Sequence, residues 1–279
     1  MLISSRHTLP SQVVNELLVY LLDNEDMLSP GLKTLLHVLT NGQYANSVQL
    51  PQCSPLEAFH LASILLILLD VQAVKIQQIV ESVRDDNQRL GLYGAELLSG
   101  GIRALHSLQE LTIWGQDIGP EGMLMLASAI TQCPDLESLS LGNNGIGAKG
   151  MQSLAEVFPR LPHLQVLNLY NNDLREEGTK HLAASFSTIR NLRVIDLGSN
   201  HMGPQGLHYL AETICYLERL EVICIGTLMN EISKEEEERV KAFCTRCRRR
   251  CGQVPSNCHW FARRNLLALY QQIRRLRVL

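Results

Sequence analysis

The residues with the clearest capacity for chemistry lie near the C-terminus, where Cys244-x2-Cys247-x3-Cys251-x6-Cys258-His259 gathers four thiols and an imidazole. Zinc takes four such ligands in a tetrahedron, and Cys244 and Cys247, one helical turn apart, would supply two. Structural zinc pairs usually sit on a turn rather than inside a helix, and reduced cysteine also serves as a small buried apolar residue. Cys244, Cys247, Cys251 and Cys258 are therefore weak metal candidates, packing thiols are the favoured reading, and no metal or cofactor is expected. Other chemistry is harder to find. The sequence contains no Gly-x4-Gly-Lys-Ser/Thr loop and no Gly-x-Ser-x-Gly elbow. Its nine histidines are scattered, and His163, His181, His201 and His208 fall in loop or helix-surface registers. The chain is not expected to be an enzyme.

Charge is unevenly spread. All 28 acidic residues precede position 239, against 14 basic ones, a net of −14, whereas residues 239–279 carry 11 Arg or Lys and no acid. The run Arg246-Cys-Arg248-Arg249-Arg250 and the later Arg263, Arg264, Arg274, Arg275 and Arg277 suit either a solvated helix face or a patch for nuclear import or polyanions. Composition is that of a folded chain, with 46% hydrophobic residues and only 5% aromatic ones. The longest apolar stretch, Leu61–Leu69, is far short of the roughly 18 residues that suggest a membrane span. There is no signal-peptide pattern and no Asn-x-Ser/Thr sequon, and the eight cysteines form no extracellular framework. A reducing compartment follows as the expectation: the cytoplasm, with the nucleus as the second location that the basic tail would allow.

What must position any site is a repeat. Leu108, Leu136, Leu164, Leu192 and Leu220 stand 28 residues apart, and each opens the same pattern, as in Leu136-Glu-Ser-Leu-Ser-Leu and Leu164-Gln-Val-Leu-Asn-Leu. Asn144, Asn172 and Asn200 follow three residues after the last leucine position in the middle units, while Gln116 and Leu228 stand there in the outer ones. Gly122, Gly150, Gly178 and Gly206 come next, then a Leu-Ala pair and a further apolar residue. The period therefore switches from two, as in a strand, to three or four, as in a helix. A lone unit would bury six or seven aliphatic side chains at roughly 1.5–3 kcal/mol each, against a backbone entropy cost of about 1–2 kcal/mol per residue. It cannot fold alone; stacked units share one core.

On these residues the chain resembles the leucine-rich-repeat family, in particular its ribonuclease-inhibitor-like subclass. The match is carried by Leu136, Leu139, Leu141, Asn144, Ile146 and Gly150 with their equivalents in the next two units, and covers about 108–232. The resemblance implies an α/β fold: a short right-handed solenoid with parallel strands on the concave face and helices on the convex face. It also implies a structural ladder in which Asn144, Asn172 and Asn200 bond backbone groups of the loops after the strands. Counting back 28 residues from Leu108 reaches Val80, and Leu90, Gly94, Leu98 and Ile102 stay in phase, but Asp85 falls on a core strand position. Residues 80–107 thus read as a degenerate first unit with a sound helix and a poor strand.

The organisation expected is an N-terminal helical cap over 1–79, the solenoid over 80–232 and a basic helical C-terminal cap or tail over 233–279. Residues 10–75 read as helical: Val13, Val14, Leu17, Leu18 and Leu21 form one face, Leu32, Leu35, Leu36 and Leu39 another, and Pro55 opens a third helix through Leu69. Leu9-Pro10 with Glu16-Leu17-Leu18 resembles the opening of an F-box, although the later Trp-Arg region of that motif is absent. Ser233 with Glu236 forms a capping-box pattern, and Trp260 to Leu279 reads as amphipathic, with Leu266, Leu269, Tyr270, Ile273 and Leu276 on one face.

In the family's register the strand residues between core leucines face the concave side. The third-position column is Glu110, Ser138, Val166, Val194 and Val222; the fifth is Thr112, Ser140, Asn168, Asp196 and Cys224; the seventh is Trp114, Gly142, Tyr170, Gly198 and Gly226. Glu110, Thr112, Trp114, Ser140, Asn168, Tyr170 and Asp196 are the candidate partner-binding residues, with Trp114, Tyr170 and Asp196 as anchors, because aromatics with a polar edge are favoured at interfaces. Trp114 has a second reading, packing beneath the N-terminal cap. The function expected is an intracellular protein–protein interaction module, a scaffold that binds a protein partner through its concave face. Two alternatives stand beside it: a ubiquitin-ligase substrate adaptor acting through the N-terminal helices, and a nuclear or polyanion-binding regulator acting through residues 239–279, the one route to nucleic acid. Nothing in the sequence fixes the oligomeric state.

Overall fold

The computed structural model describes residues 11–40, 46–50, 53–68, 71–77, 89–225 and 259–260. Its helices are α1 (Ser11–Asp23), α2 (Pro30–Thr40), α3 (Pro55–Leu65), α4 (Gly91–Ile102), α5 (Gly119–Ile130), α6 (Gly147–Val157), α7 (Arg175–Ser185) and α8 (Gly203–Thr213). Its strands are β1 (Ser47–Leu50), β2 (Ala73–Gln77), β3 (Glu110–Trp114), β4 (Ser138–Ser140), β5 (Val166–Asn168), β6 (Val194–Asp196), β7 (Val222–Cys224) and β8 (His259–Trp260). All eight strands form one parallel sheet in sequence order, with a helix returning the chain between strands from β1 to β7.

The alternating residues Leu139, Leu167 and Ile195 are fully buried and lie side by side, in the register expected from the repeat. They meet the helix-face residues Leu126, Leu154 and Leu182 in one continuous core. The recurrent helical glycines let neighbouring helices approach. A methyl group on Gly150 would stand 3.1 Å from the Met123 Cβ and 3.2 Å from the Pro120 Cα, leaving no room for a side chain.

The N-terminal region differs from the all-helical expectation. α1, α2 and α3 form as the apolar spacing requires, and α3 is closed by a capping box in which Ser54 Oγ accepts from Glu57 N and Glu57 Oε2 accepts from Ser54 N. Between and after them, however, β1 and β2 already belong to the sheet, so repeat architecture begins near Ser47, inside the stretch expected to be a cap. The strand preceding α4 is β2, several residues before the segment reached by counting back 28. Ser47 pairs with Ala73, a step of 26, and Ala73 pairs with Glu110, a step of 37, whereas Glu110, Ser138, Val166, Val194 and Val222 follow at 28. Val74 and Ile76 fill the core positions for which the count of 28 had put Asp85, a residue outside those described. α1 docks through aromatic contacts, its Tyr20 ring lying 6.1 Å from both Phe59 and the buried His60. Burial pulls the His60 pKa below its usual value.

At the other end, β8 pairs with β7 at a step of 37, so a strand stands at His259–Trp260 where the amphipathic helix was expected to begin. The remainder of the expected C-terminal cap, with Leu228 and Cys244, Cys247, Cys251 and Cys258, lies outside the described residues. Among those described, no helix is long and apolar enough to cross a membrane, and no group of three or more His, Cys, Asp or Glu is placed to hold a metal.

From α4 onward each helix opens on left-handed backbone. Glycine supplies it at Gly91 (φ 56°), Gly119 (φ 65°), Gly147 (φ 62°) and Gly203 (φ 60°), but the fifth position is Arg175 at φ 55°. A side chain there is strained, and the exposed Arg175–Asp173 pair offsets little of that strain. Arg175→Gly is expected to raise Tm by roughly 2 °C; an unchanged or lower Tm in a thermal melt would contradict this account.

Candidate functional site

The strand ends and the loops after them are held by a ladder of buried amides. Asn144 Oδ1 accepts from Gln116 N at 2.9 Å, Asn172 Oδ1 from Asn144 N at 3.0 Å, and Asn200 Oδ1 from Asn172 N at 2.9 Å. Each Nδ2 group donates to carbonyls of its own and the preceding repeat, as Asn172 does to Leu141 O at 2.9 Å and Tyr170 O at 3.3 Å. All three asparagines are buried, and the ladder has the form the family resemblance implied. Gln116 extends it. It is fully buried, donates to Trp114 O, and with its longer side chain accepts from Leu90 N at 3.4 Å. Sequence reasoning treated Gln116 only as a departure, although an amide at that position was the available signal.

This ladder fixes the row of seventh-position residues at the C-terminal ends of the strands. Trp114 and Tyr170, two repeats apart, stack in parallel, with ring centroids 5.9 Å apart and planes 3° from coincidence. The residue between them is Gly142, where a Cβ would fall 2.3 Å from the Trp114 ring, so the indole lies directly over that glycine. On the far side of Tyr170 stands Gly198, where a Cβ would meet the Tyr170 ring at 3.0 Å and Asp196 Oδ1 at 3.3 Å. Both rings are partly exposed. Trp114 therefore leans toward the later repeats and forms a ledge with Tyr170, away from the N-terminal helices beneath which its second reading placed it.

The fifth-position residues lie deeper than expected. Thr112, Ser140, Asn168 and Asp196 are each less than a tenth exposed. Asn168 Oδ1 accepts from Tyr170 N at 2.9 Å and Asp196 Oδ1 accepts from Gly198 N at 3.0 Å, so both side chains turn back to hold the seventh-position backbone. They shape the ledge from below. Along the other margin of the sheet, Lys75 and Glu110 pair at 2.8 Å across β2 and β3, and Arg193 pairs with Glu221 across β6 and β7. The surface thus combines a planar aromatic ledge, a glycine floor and carboxylates at the margin. Two of the thiols are poorly suited to nucleophilic chemistry: Cys133 is buried and its thiol is pushed up to about 12 by desolvation, and burial likewise raises Cys53.

Comparison with known proteins agrees with the repeat. The Leucine Rich repeat family model matches residues 132–155 and 188–211. No curated protein matches the chain. Among solved structures, a protein from Bacteroides fragilis is similar at 13% identity and a TM-score of 0.41, over 77% of this chain and 67% of that one. The TLR13–ssRNA13 complex is similar at 18% identity and a TM-score of 0.24, over 59% of this chain and 31% of that chain. With matched repeats two units apart, an unbroken 28-residue step between them and sequential parallel strands returned by helices, this chain carries leucine-rich repeats in an α/β solenoid fold.

Proposed function

We propose that the chain is an intracellular protein-interaction module of the ribonuclease-inhibitor-like subclass that binds a protein partner through its concave face. The observation that carries this reading is the Trp114–Tyr170 stack, partly exposed above Gly142 and Gly198. Large aromatic surface left at the face of a rigid sheet is costly unless it is used, and such residues supply much of the energy of interfaces. The ladder holds the ledge in place before any partner arrives, which lowers the ordering cost of binding. A reducing setting is supported by the free and buried thiols of Cys53 and Cys133.

The test is affinity capture from cell extract with the wild type, a Trp114→Ala/Tyr170→Ala double variant and a convex-face control, Leu124→Ala. Truncating interface anchors commonly costs about 2 kcal/mol each, so the double variant should lose at least tenfold in affinity for whatever the wild type retains. Tm should stay nearly unchanged, and the control should bind like the wild type. Equal capture by the double variant would remove the concave ledge as the binding surface.

A further inference from the structure

The convex side carries a second surface, made by the helices at the N-terminal end of the solenoid. Steps of 37 from α3 to α4 and 28 thereafter, the same as those of the strands they precede, bring equivalent residues into rows across the helices. The packing agrees: a Cβ on Gly94 would stand 3.5 Å from the Pro55 Cα, and one on Gly122 would stand 3.6 Å from the Leu92 Cα. One row runs Leu56, Tyr93, Glu121, and the next, about one helical turn on, runs Phe59, Glu96, Leu124. All six side chains are exposed, Tyr93 by 63% and Leu124 by 52%. Tyr20, also exposed, lies 6.1 Å from Phe59 and carries the apolar surface onto α1.

The later repeats show what these positions hold by default. Lys149, Gln152, Glu177, Lys180, Gln205 and His208 occupy them on α6, α7 and α8, all exposed and all polar. Large apolar side chains are thus confined to the rows on α3, α4 and α5, and a contiguous apolar patch on an otherwise polar surface marks contact with another molecule. Charge narrows the occupant. α3, α4 and α5 carry Glu57, Glu96 and Glu121 and no Lys or Arg. A two-fold contact with a second copy would set Glu96 and Glu121 against their own counterparts, which disfavours a dimer here. The chain's own basic stretch, 239–279, flanks β8 in sequence, and β8 stands at the opposite edge of the sheet from β1. A separate cationic segment with one apolar side complements both the rows and their carboxylates, and an amphipathic helix presents those two features together.

We propose that this convex face docks a cationic amphipathic helix of a partner protein, its apolar side on Leu56, Phe59, Tyr93 and Leu124 and its Lys or Arg side chains toward Glu96 and Glu121. The inference does not rest on the concave ledge. Capture at the ledge is scored on proteins that the Trp114→Ala/Tyr170→Ala variant loses, and a ligand of the convex face is one that this variant keeps. The experiment is fluorescence anisotropy of the full chain with a labelled Leu–Lys amphipathic helix of about 18 residues and, as its counterpart, a Leu–Glu helix of the same length. The wild type should bind the Leu–Lys helix saturably and the Leu–Glu helix not at all. Leu56→Ser/Tyr93→Ser should weaken binding at least about fivefold with Tm nearly unchanged, because both side chains are exposed. Glu96→Gln/Glu121→Gln should weaken it about three- to tenfold and flatten its salt dependence, whereas Glu156→Gln/Glu212→Gln, the same charge change at exposed positions on α6 and α8, should stay within about twofold of the wild type. The absence of saturable binding by the wild type, whether a second copy or the chain's own basic stretch covers the face, would overturn the proposal. So would equal binding of the two peptides, equal losses from the two glutamate pairs, or unchanged binding by Leu56→Ser/Tyr93→Ser.

Discussion

Leu169→Asp yields a protein that cannot hold the solenoid together. Leu169 is fully buried, and its backbone N donates to Asp196 O in the next repeat at 2.9 Å, so its side chain sits where two repeats share their core. An ionised carboxylate there loses its hydration with no cation to receive it, and a protonated one still leaves a polar group among aliphatic carbons; either costs several kcal/mol. Total stabilities of domains are only about 5–15 kcal/mol, and a solenoid draws its stability from the interfaces between units, so one ruined interface uncouples the two halves. Far-UV circular dichroism and size-exclusion chromatography should show loss of structure or aggregation. A neighbouring change supplies the contrast. Asn168→Asp should cost far less, because the new carboxylate keeps the bond to Tyr170 N, as Asp196 does to Gly198 N, and adds only the repulsion of Asp196 opposite it on the neighbouring strand. A soluble, native Leu169→Asp protein would mean that the strand register is wrong.

Asn172→Ala is the second large effect. This side chain accepts from Asn144 N and, at 3.4 Å, from Ile146 N, and donates to Leu141 O and Tyr170 O. Alanine removes all four bonds at once and leaves backbone groups in a buried loop without partners. At about 1–3 kcal/mol for each group that water cannot reach, a loss of at least about 3 kcal/mol is expected. Urea unfolding should show a much lower midpoint. Asn171→Gly, at an exposed position with φ 51°, removes only the side-chain bond to Asn143 and should cost little. Similar midpoints for the two variants would remove the ladder as the element that holds the strand ends.

The middle of the molecule was legible because nothing interrupts its period. From Leu108 to Leu220 the step stays at 28, and every aliphatic position so marked is buried. β1 and β2 were not legible because steps of 26 and 37 break the phase, and their alternation is brief: Val48 and Leu50 in one, Val74 and Ile76 in the other, amid helix-like leucines. The seventh-position row was visible as alternating aromatic and glycine residues. The contact between Trp114 and Tyr170 was not, since strand spacing alone puts their backbones two strands apart and only the lean of the indole over Gly142 joins them. The depth of Asn168 and Asp196 was also hidden. Their types suit solvent, but short amide and carboxylate side chains can turn back to the chain two residues on, and here they do.

Unequal crossing-over in the coding DNA lengthens or shortens repeat arrays by whole units, and the core of this molecule would accept one unit as readily as two. Its inner surface would not. Excising a single 28-residue unit between Trp114 and Tyr170 would bring the tyrosine into the place of Gly142, where even a methyl group collides with the indole. Gain or loss of any unit between Trp114 and Tyr170 therefore breaks the stack, which holds only at their separation of 56 residues, two units. The interior accepts any number of repeats, while the exposed pair holds at one spacing alone.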